Sequence, residues 1–468
     1  MSGRYSFAIP IIVGCAQFMH QFDGSVIATA LPSMAVTLHD DPLRLNLAIS
    51  CYLLALAVFV PISGWMASRF GAKRVFAMAI LIFTISSVLC GISQSLFELV
   101  IARTLQGMGG AMMTPVGRLI VVKTAPRADL VKAINYITIP GALAPILGPS
   151  VGGFIVTYFS WPWIFFLNVP IGLAGVLLVH RYIPEVHEDE VPPLDLRGFL
   201  LAGIALAAMV FGFESIGREL LPAPLVIALL TTGATCAALY VYHARRIANP
   251  IIDLGLMRFP AFAASITGGS LFYMGAGAVI FLLAVLLQVG FGLSAFQAGL
   301  MTLAIAFGSA VSRFVIRPML QYIGFKHILI LNACVTGAYL ITCGLFRLTT
   351  PYVLIIGVLF LGGLSRSIQY TTLTALSYAD VPQNLMSHAT SFSALVSQFA
   401  QSFGVGLTAL VVNFSMEASG HSSLAAADLM PGFWTIGAAC LLSTIQFSRL
   451  HAQAGADMRG HDGAGGEE

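Results

Sequence analysis

Stretches of about twenty apolar residues follow one another along the chain, divided by short polar turns. They carry glycine and proline internally and lack the ten-residue alternation of a membrane-spanning strand. Backbone N–H and C=O groups cannot be left unpaired in hydrocarbon, so runs of this length and texture predict spanning helices. The pattern predicts fourteen of them: 7–29, 46–66, 75–93, 97–122, 133–157, 163–181, 197–215, 222–242, 262–287, 297–317, 327–346, 351–375, 388–413 and 431–448, with a split between the ninth and tenth near Gly292. The first apolar run continues past the length of a signal segment, which predicts a retained helix.

The polar punctuation repeats. Gly71 and Lys73, in GWMASRFGAKRV, stand 253 residues before Gly324 and Lys326, in QYIGFKHI, and the same offset carries Gly109-Gly110 onto Gly362-Gly363. Two copies of one multi-helix unit are therefore expected, spans one to six and nine to fourteen, with spans seven and eight between them. The boundaries predicted are an N-terminal six-helix bundle over 1–181, a linker plus two extra helices over 182–261, a C-terminal six-helix bundle over 262–450, and a disordered cytoplasmic tail over 451–468. The acidic, proline-containing stretch YIPEVHEDEVPPLDLR reads as the linker. Two related halves around a central path are the arrangement of alternating-access carriers.

Composition strengthens this picture. Asp, Glu, Lys and Arg make up 9% of the chain against roughly a quarter in a soluble domain. Apolar residues reach 58% and the mean hydropathy is +0.90, so lipid is the expected solvent. With both termini placed in the cytoplasm, 16 Lys and Arg fall in cytoplasmic segments and 3 in outer ones, a strong bias that favours an even number of spans. These basic residues sit in short loops, which gives nucleic-acid binding no support. The seven cysteines follow neither metal-ligand nor disulfide spacing and read as small packing residues. No metal-protease, redox, phosphate-loop or nucleophile-elbow motif is present. No metal and no cofactor is therefore expected, the chain does not read as an enzyme, and an ion gradient is the expected energy source.

The candidate residues are the charges within spans. Asp23 lies in the first span with His20 one turn earlier on the same face. A carboxylate in lipid must face protein or water, so Asp23 is either a proton- or substrate-coupling group or a permanently paired helix contact. His20 is either a satisfied interhelical histidine or a titrating one. Arg103, in the outer half of the fourth span, is at a similar depth and could meet Asp23, and Gln106 lies one turn further along. Arg118 and Arg366, in the inner halves of the fourth and twelfth spans, either snorkel to the cytoplasmic face or line the central path and attract anions. Arg313 is expected to snorkel. The fifth span holds Gly141, Pro145, Gly148, Pro149, Gly152 and Gly153, a small-residue face with kinks that could pack tightly against the opposite half and bend.

Taken together these stretches resemble the major facilitator superfamily, and within it the fourteen-helix drug:proton antiporters of the EmrB/QacA-like group, over nearly all of residues 7–450. Gly64, Arg69, Gly71, Lys73 and Arg74 match the loop between helices two and three. Arg103, Gln106, Gly107 and Gly110 match the helix-four motif, and Gly141 through Gly153 match the antiporter signature of helix five. Asp23-Gly24 with Ala30, Leu31 and Pro32 is similar to the helix-one motif. Trp163-Ile164-Phe165 with Asn168, Pro170 and Gly172 is similar to the approach to helix six, and Asp195 and Gly198 to the start of the extra pair. GAMMTPVGRL further resembles the MdtD/HsrA-like subgroup. The loop motif departs at Ser68, where the family carries an acid that helps lock the cytoplasmic side; the resemblance leaves Asp195 or another group to compensate.

The resemblance implies a cytoplasmic-membrane antiporter, functional as a monomer, exchanging protons for small amphipathic organic compounds. Asp23, Arg103 and His20 would couple protons, Gln106, Arg118 and Arg366 would line the path, and the loop and helix-five glycines and prolines would gate it. Its cavity is expected to be mostly aromatic and methionine-lined. A transporter of one metabolite or organic anion, and a non-transporting membrane scaffold or sensor, are the competing readings.

Overall fold

A computed structural model describes residues 7–39, 42–185, 193–218, 221–293, 295–420 and 425–451. The expected tail beyond residue 451 and the acidic stretch 186–192 lie outside the described residues. All secondary structure described is helical. The main helices are α1 (Ala8–Leu38), α2 (Pro42–Phe59), α3 (Ser63–Phe70), α4 (Ala72–Ile92), α5 (Leu96–Thr124), α6 (Leu130–Tyr158), α7 (Trp163–Phe166) and α8 (Asn168–Tyr182). They continue as α9 (Leu196–Arg218), α10 (Ala223–Ala244), α11 (Pro260–Val285), α12 (Ala295–Tyr322), α13 (Phe325–Gly344), α14 (Tyr352–Leu376), α15 (Met386–Ala418) and α16 (Met430–Ser448).

Ten helical segments among the described residues are long and apolar enough to cross a membrane, and an eleventh if α2 and α3 count as one bent span. Helices α1, α5 and α6, of 31, 29 and 29 residues, also have spanning length. The second predicted span is thus not one straight helix. It bends by 59° between α2 and α3, next to Pro61, whose ring nitrogen cannot donate to the preceding turn. The sixth runs as one span from Trp163 to Tyr182, with Leu167 in helical conformation between α7 and α8. The split near Gly292 is present: the end of α11 widens into a π-turn over Leu286–Gly290, and Gly292 turns the chain at φ 66°.

The sequence repeat reappears in the packing. Five pairings among the early helices, α1 with α6, α2 with α5, α4 with α5, α4 with α8 and α1 with α8, recur as α11 with α15, α12 with α14, α13 with α14, α13 with α16 and α11 with α16. Contacts across the molecule mirror one another too. Helix α6 meets α12 and α14, while α15 meets α3 and α5. Helices α9 and α10 pair together, and α9 covers the seam between α2 and α15. Gly71 and Gly324, at equivalent repeat positions, share a left-handed backbone with φ of 89° and 81° and start α4 and α13.

The apolar core is distributed unevenly along the bundle. Near the Gly71 and Gly324 turns, one continuous cluster joins both groups of helices, with Ile12, Phe76 and Val116 in the same core as Phe262, Phe325 and Leu376. Toward the other end it divides. One cluster, around Val26, Leu45 and Phe165, belongs wholly to the early helices. Another, around Leu282, Tyr339 and Phe433, belongs wholly to the late ones. The two groups of helices are packed together at one end and have separate cores at the other.

Candidate functional site

Two polar assemblies among the described residues hold the candidate path and coupling residues. The first is centred on Asp23, in the middle of α1 and fully buried. Its Oδ2 accepts from Arg103 Nη1 at 2.5 Å, and its Oδ1 accepts from Gln106 Nε2 and Asn168 Nδ2, both at 2.9 Å. Gln106 Oε1 accepts from the same Arg103 nitrogen at 2.5 Å, and Gln106 and Asn168 both donate to Ser87 Oγ. Arg103 Nε reaches the Ala48 carbonyl at 3.4 Å, and its guanidinium carbon lies 4.2 Å from the centre of the Tyr52 ring. The Tyr52 hydroxyl hydrogen-bonds His20 Nδ1 at 2.6 Å. Five helices, α1, α2, α4, α5 and α8, therefore converge on one ion pair.

This geometry explains how a carboxylate persists there. Every strong donor in reach is aimed at it, and the opposite charge is in direct contact, as a buried ion needs. Arg103 is less completely matched, because its Nη2 has no hydrogen-bond partner. Asp23 and Arg103 meet as their depths in the sequence suggest. Gln106 stands in this cluster and not on the central path. His20 joins through Tyr52 and makes no bond to Asp23. The sequence reading missed Tyr52 and Ser87 altogether, took Cys90, whose Sγ lies 3.7 Å from Gln106 Oε1, only as a packing residue, and placed Asn168 only by resemblance. Asn168, an amide inside the run WIFFLNVPIGL, was the one available signal.

The second assembly is a cavity between the early and late helices. Gln17 and Gln21 of α1, Arg118 of α5 and Ile134, Ile137, Thr138 and Gly141 of α6 line one side. Ser309 of α12, Arg366, Ser367, Tyr370 and Thr374 of α14 and Gln401 of α15 line the other. Arg118 is buried, and its Nη2 donates to the Tyr370 hydroxyl at 2.5 Å. The expected aromatic and methionine lining is not found: the cavity has one aromatic residue, Tyr370, and no methionine. The Phe and Met residues instead fill the cores and the outer surface, for example Phe76, Met113 and Phe272 inside and Phe97, Phe307 and Phe314 outside. Gln17 and Gln21, four residues apart on α1, and Arg366, Tyr370 and Thr374 on α14 form polar stripes at helical spacing, of which the sequence reading singled out only Arg366.

The expected gating residues fall into separate places. Gly64 packs on α15 so closely that an added Cβ would lie 2.6 Å from the Ser387 carbonyl oxygen, and the neighbouring Ser63 hydroxyl meets Ser391 Oγ at 3.0 Å. Arg69 is exposed at the end of α3. Lys73 donates to the His180 carbonyl at 3.1 Å, and Arg74 stands 3.6 Å from Glu185, so both basic residues tie α4 to the end of α8. Ser68 is buried in α3. Asp195 does not substitute for the missing acid, because its carboxylate accepts from Gly198 N at 2.8 Å, His243 Nε2 at 2.8 Å and Ile251 N at 3.4 Å.

The small-residue face of α6 also differs from expectation. Gly141 lies against Gln17 and Gly148 against Ser25, so this face packs on α1 of the same group. A different surface of α6 meets α12 and α14. Gly152 is buried, Pro145 and Gly153 are half-buried, and the side chain of Pro149 lies outside the described residues. Arg313 is exposed, as expected of a snorkelling residue, and its Nη2 reaches the Tyr136 hydroxyl at 3.4 Å. Among the described residues no group of three or more His, Cys, Asp or Glu side chains could hold a metal ion.

Two mirrored groups of helices around a polar cavity define a polytopic membrane transporter fold. The chain belongs to the Major Facilitator Superfamily, whose sequence model matches residues 13–405. It is a multi-pass secondary transporter and not an enzyme. Its relatives include proteins named "Putative multidrug resistance protein MdtD". That of Salmonella paratyphi A is 34% identical over 445 residues, 94% of each chain. That of Escherichia coli O139:H28 is 36% identical over 407 residues, 86% of this chain and 85% of the relative. Among solved structures, the fold matches the human organic anion transporter MFSD10 with a TM-score of 0.63 at 13% identity, over 94% of this chain and 97% of the other. It matches the proton:xylose symporter XylE with a TM-score of 0.66 at 15% identity, over 96% and 97%.

Proposed function

We propose that this chain is a proton-coupled antiporter that exports small organic compounds across the cytoplasmic membrane by alternating access. It works as a monomer, with both termini cytoplasmic and the proton gradient as its energy source. Fourteen spans are arranged as six, two and six: a bundle over 1–181, a linker with α9 and α10 over 182–261, and a second bundle over 262–450. The lengths of α1, α5 and α6 and the recurring pairings of the two bundles support this count.

The observation that carries the reading is the uneven core. A carrier that exposes one cavity to alternate sides needs two bodies joined at one end and separable at the other. That is how the apolar clusters divide. The Lys and Arg distribution supports a cytoplasmic position for the Gly71 and Gly324 turns. The joined end is then cytoplasmic, and the conformer faces outward. Ser63 against Ser391 and Gly64 against Ser387 form part of its inner seal.

Asp23 is the proton carrier in this scheme. Ionised, it holds Arg103, Gln106 and Asn168 together; protonated, one of its oxygens becomes a donor and the charge that binds Arg103 is lost. Protonation therefore loosens the junction of α1 with α5 and α8 and favours rearrangement of the first bundle. Arg103 sets how readily the proton binds, and His20 and Tyr52 hold the far side of the guanidinium. The test is a transport screen in everted vesicles over dyes, antibiotics and metabolites, following proton movement. Substrate-dependent proton flux in wild type that disappears in Asp23→Asn supports the reading, and unchanged flux in that variant removes Asp23 from it.

A further inference from the structure

We infer that the central cavity is built for a small hydrophilic organic anion whose carboxylate or phosphate oxygens are held between Arg118 and Arg366. This deepens the reading of that cavity as the transport path and rests on it. Each group of helices contributes one guanidinium to the same cavity, Arg118 from α5 and Arg366 from α14. No carboxylate lines the cavity, and among the described residues none forms an ion pair with either arginine. The contrast with Arg103 is direct, since that guanidinium, at equal or greater burial, has its acid in contact.

Two like charges in a membrane-embedded cavity repel each other, and each also carries a desolvation cost that a counter-ion normally offsets. Arg118 is solvated by the Tyr370 hydroxyl, which is a dipole and does not neutralise it. Arg366 makes no side-chain hydrogen bond among the described residues. The charge balance of the cavity is therefore left for a ligand to complete. Guanidinium groups present paired N–H donors that match the oxygens of carboxylate or phosphate, and charge-assisted bonds of this kind are the strong ones. The remaining polar lining extends the same preference, while Ile134 and Ile137 leave room for a short carbon skeleton. Gln21 has no side-chain partner among the described residues, and the amide nitrogen of Gln17 is unused while its oxygen accepts from Thr114. These groups suit an oxygen-rich molecule.

The same lining disfavours the compounds usually grouped as drugs. A lipophilic cation would meet two positive charges, no acid and one aromatic ring, so both electrostatics and shape oppose it. An anion bridging α5 and α14 would also tie the two groups of helices together across the cavity, which places its binding energy where alternating access can use it.

Equilibrium binding to the purified full chain in lipid nanodiscs tests this without any ion gradient. The probes are acetate, succinate, citrate, glycerol 3-phosphate, neutral glycerol and tetraphenylphosphonium, each read by calorimetry and by thermal shift. At least one of the four anions is expected to bind, with glycerol and tetraphenylphosphonium inert. A preference within the set separates carboxylate from phosphate recognition. Arg366→Gln is expected to weaken the bound anion by about tenfold or more, the loss of a charge-assisted contact. Arg366→Lys should recover part of that, and Arg118→Gln should weaken it similarly. Arg366 makes no side-chain hydrogen bond among the described residues and its charge opposes that of Arg118, so Arg366→Gln should melt no lower than wild type without ligand and keep the result interpretable if Arg118→Gln fails to fold. Binding of tetraphenylphosphonium in preference to every anion, no anion binding at millimolar concentration, or anion binding indifferent to Arg366 would each overturn the assignment. Anion binding that survives alongside a failure of Asp23-dependent proton flux would reject the coupling scheme and leave the ligand class standing.

Discussion

The Asp23 carboxylate and the Arg103 guanidinium lie 2.5 Å apart at a fully buried point where α1 meets α5. Removing one partner of such a pair strands the other charge in a dry interior, which costs about 3–5 kcal/mol. Arg103→Ala is therefore expected to lower the melting temperature of the purified protein sharply. Asp23→Asn should also be destabilising: its side-chain carbonyl still accepts from Gln106 or Asn168, but the Arg103 charge is left unpaired. The double variant Asp23→Asn/Arg103→Gln should be more stable than the sum of its single changes predicts. Additive losses in a thermal-unfolding cycle would show that the pair is not coupled.

Ser63 and Ser391 bring α3 and α15 into hydroxyl contact at 3.0 Å. Cysteines at both positions should form a disulfide under mild oxidation, seen as a linked peptide by mass spectrometry. If this contact belongs to a seal that must open in every cycle, the oxidised protein should not transport and reductant should restore it. Full transport by the cross-linked species would remove this contact from the gate.

Gly71 and Gly324 both hold a positive φ at the start of a helix. A side chain in that extended positive-φ region costs about 1–3 kcal/mol. Gly71→Ala and Gly324→Ala should each reduce thermal stability by that order, and by similar amounts because the turns are structural equivalents. A neutral effect at either position would show that the turn relaxes to another conformation.

Asp195 accepts hydrogen bonds from Gly198, His243 and Ile251 and so ties the start of α9 to the end of α10 and the segment beyond it. Asp195→Ala leaves these donors unpaired at about 1–3 kcal/mol for a buried one. Limited proteolysis should then cut faster between residues 185 and 195 or between 245 and 255, while the rest of the chain keeps its resistance. An unchanged digestion pattern would mean that the clamp does not hold these segments.

The large features were legible in the sequence because hydrophobic period and loop charge act over whole segments. The helices, the repeat linking Gly71 to Gly324, and the meeting of Asp23 with Arg103 all follow from them. The bend at Pro61 was not read, because a proline near the end of an apolar run marks either a break or a tolerated kink. The cavity was misjudged for a physical reason. Phe and Met are abundant, but in a lipid solvent most of the outer surface is also apolar, so their number says little about where they point. The polar stripe Arg366, Tyr370 and Thr374 was the better guide to the lining, since side chains of that kind are costly against lipid. The position of Gln106 was decided by the donors that Asp23 requires, which one helix viewed alone cannot show.

Proton coupling through Asp23 is tested most directly by reconstituting wild type and Asp23→Asn in proteoliposomes and comparing two modes with a ligand found by the binding or vesicle screens. In exchange without a gradient, both proteins should move the ligand. With an imposed pH gradient, wild type should accumulate it against its concentration while the variant only equilibrates it. Gradient-driven accumulation by Asp23→Asn at the wild-type level would contradict the account.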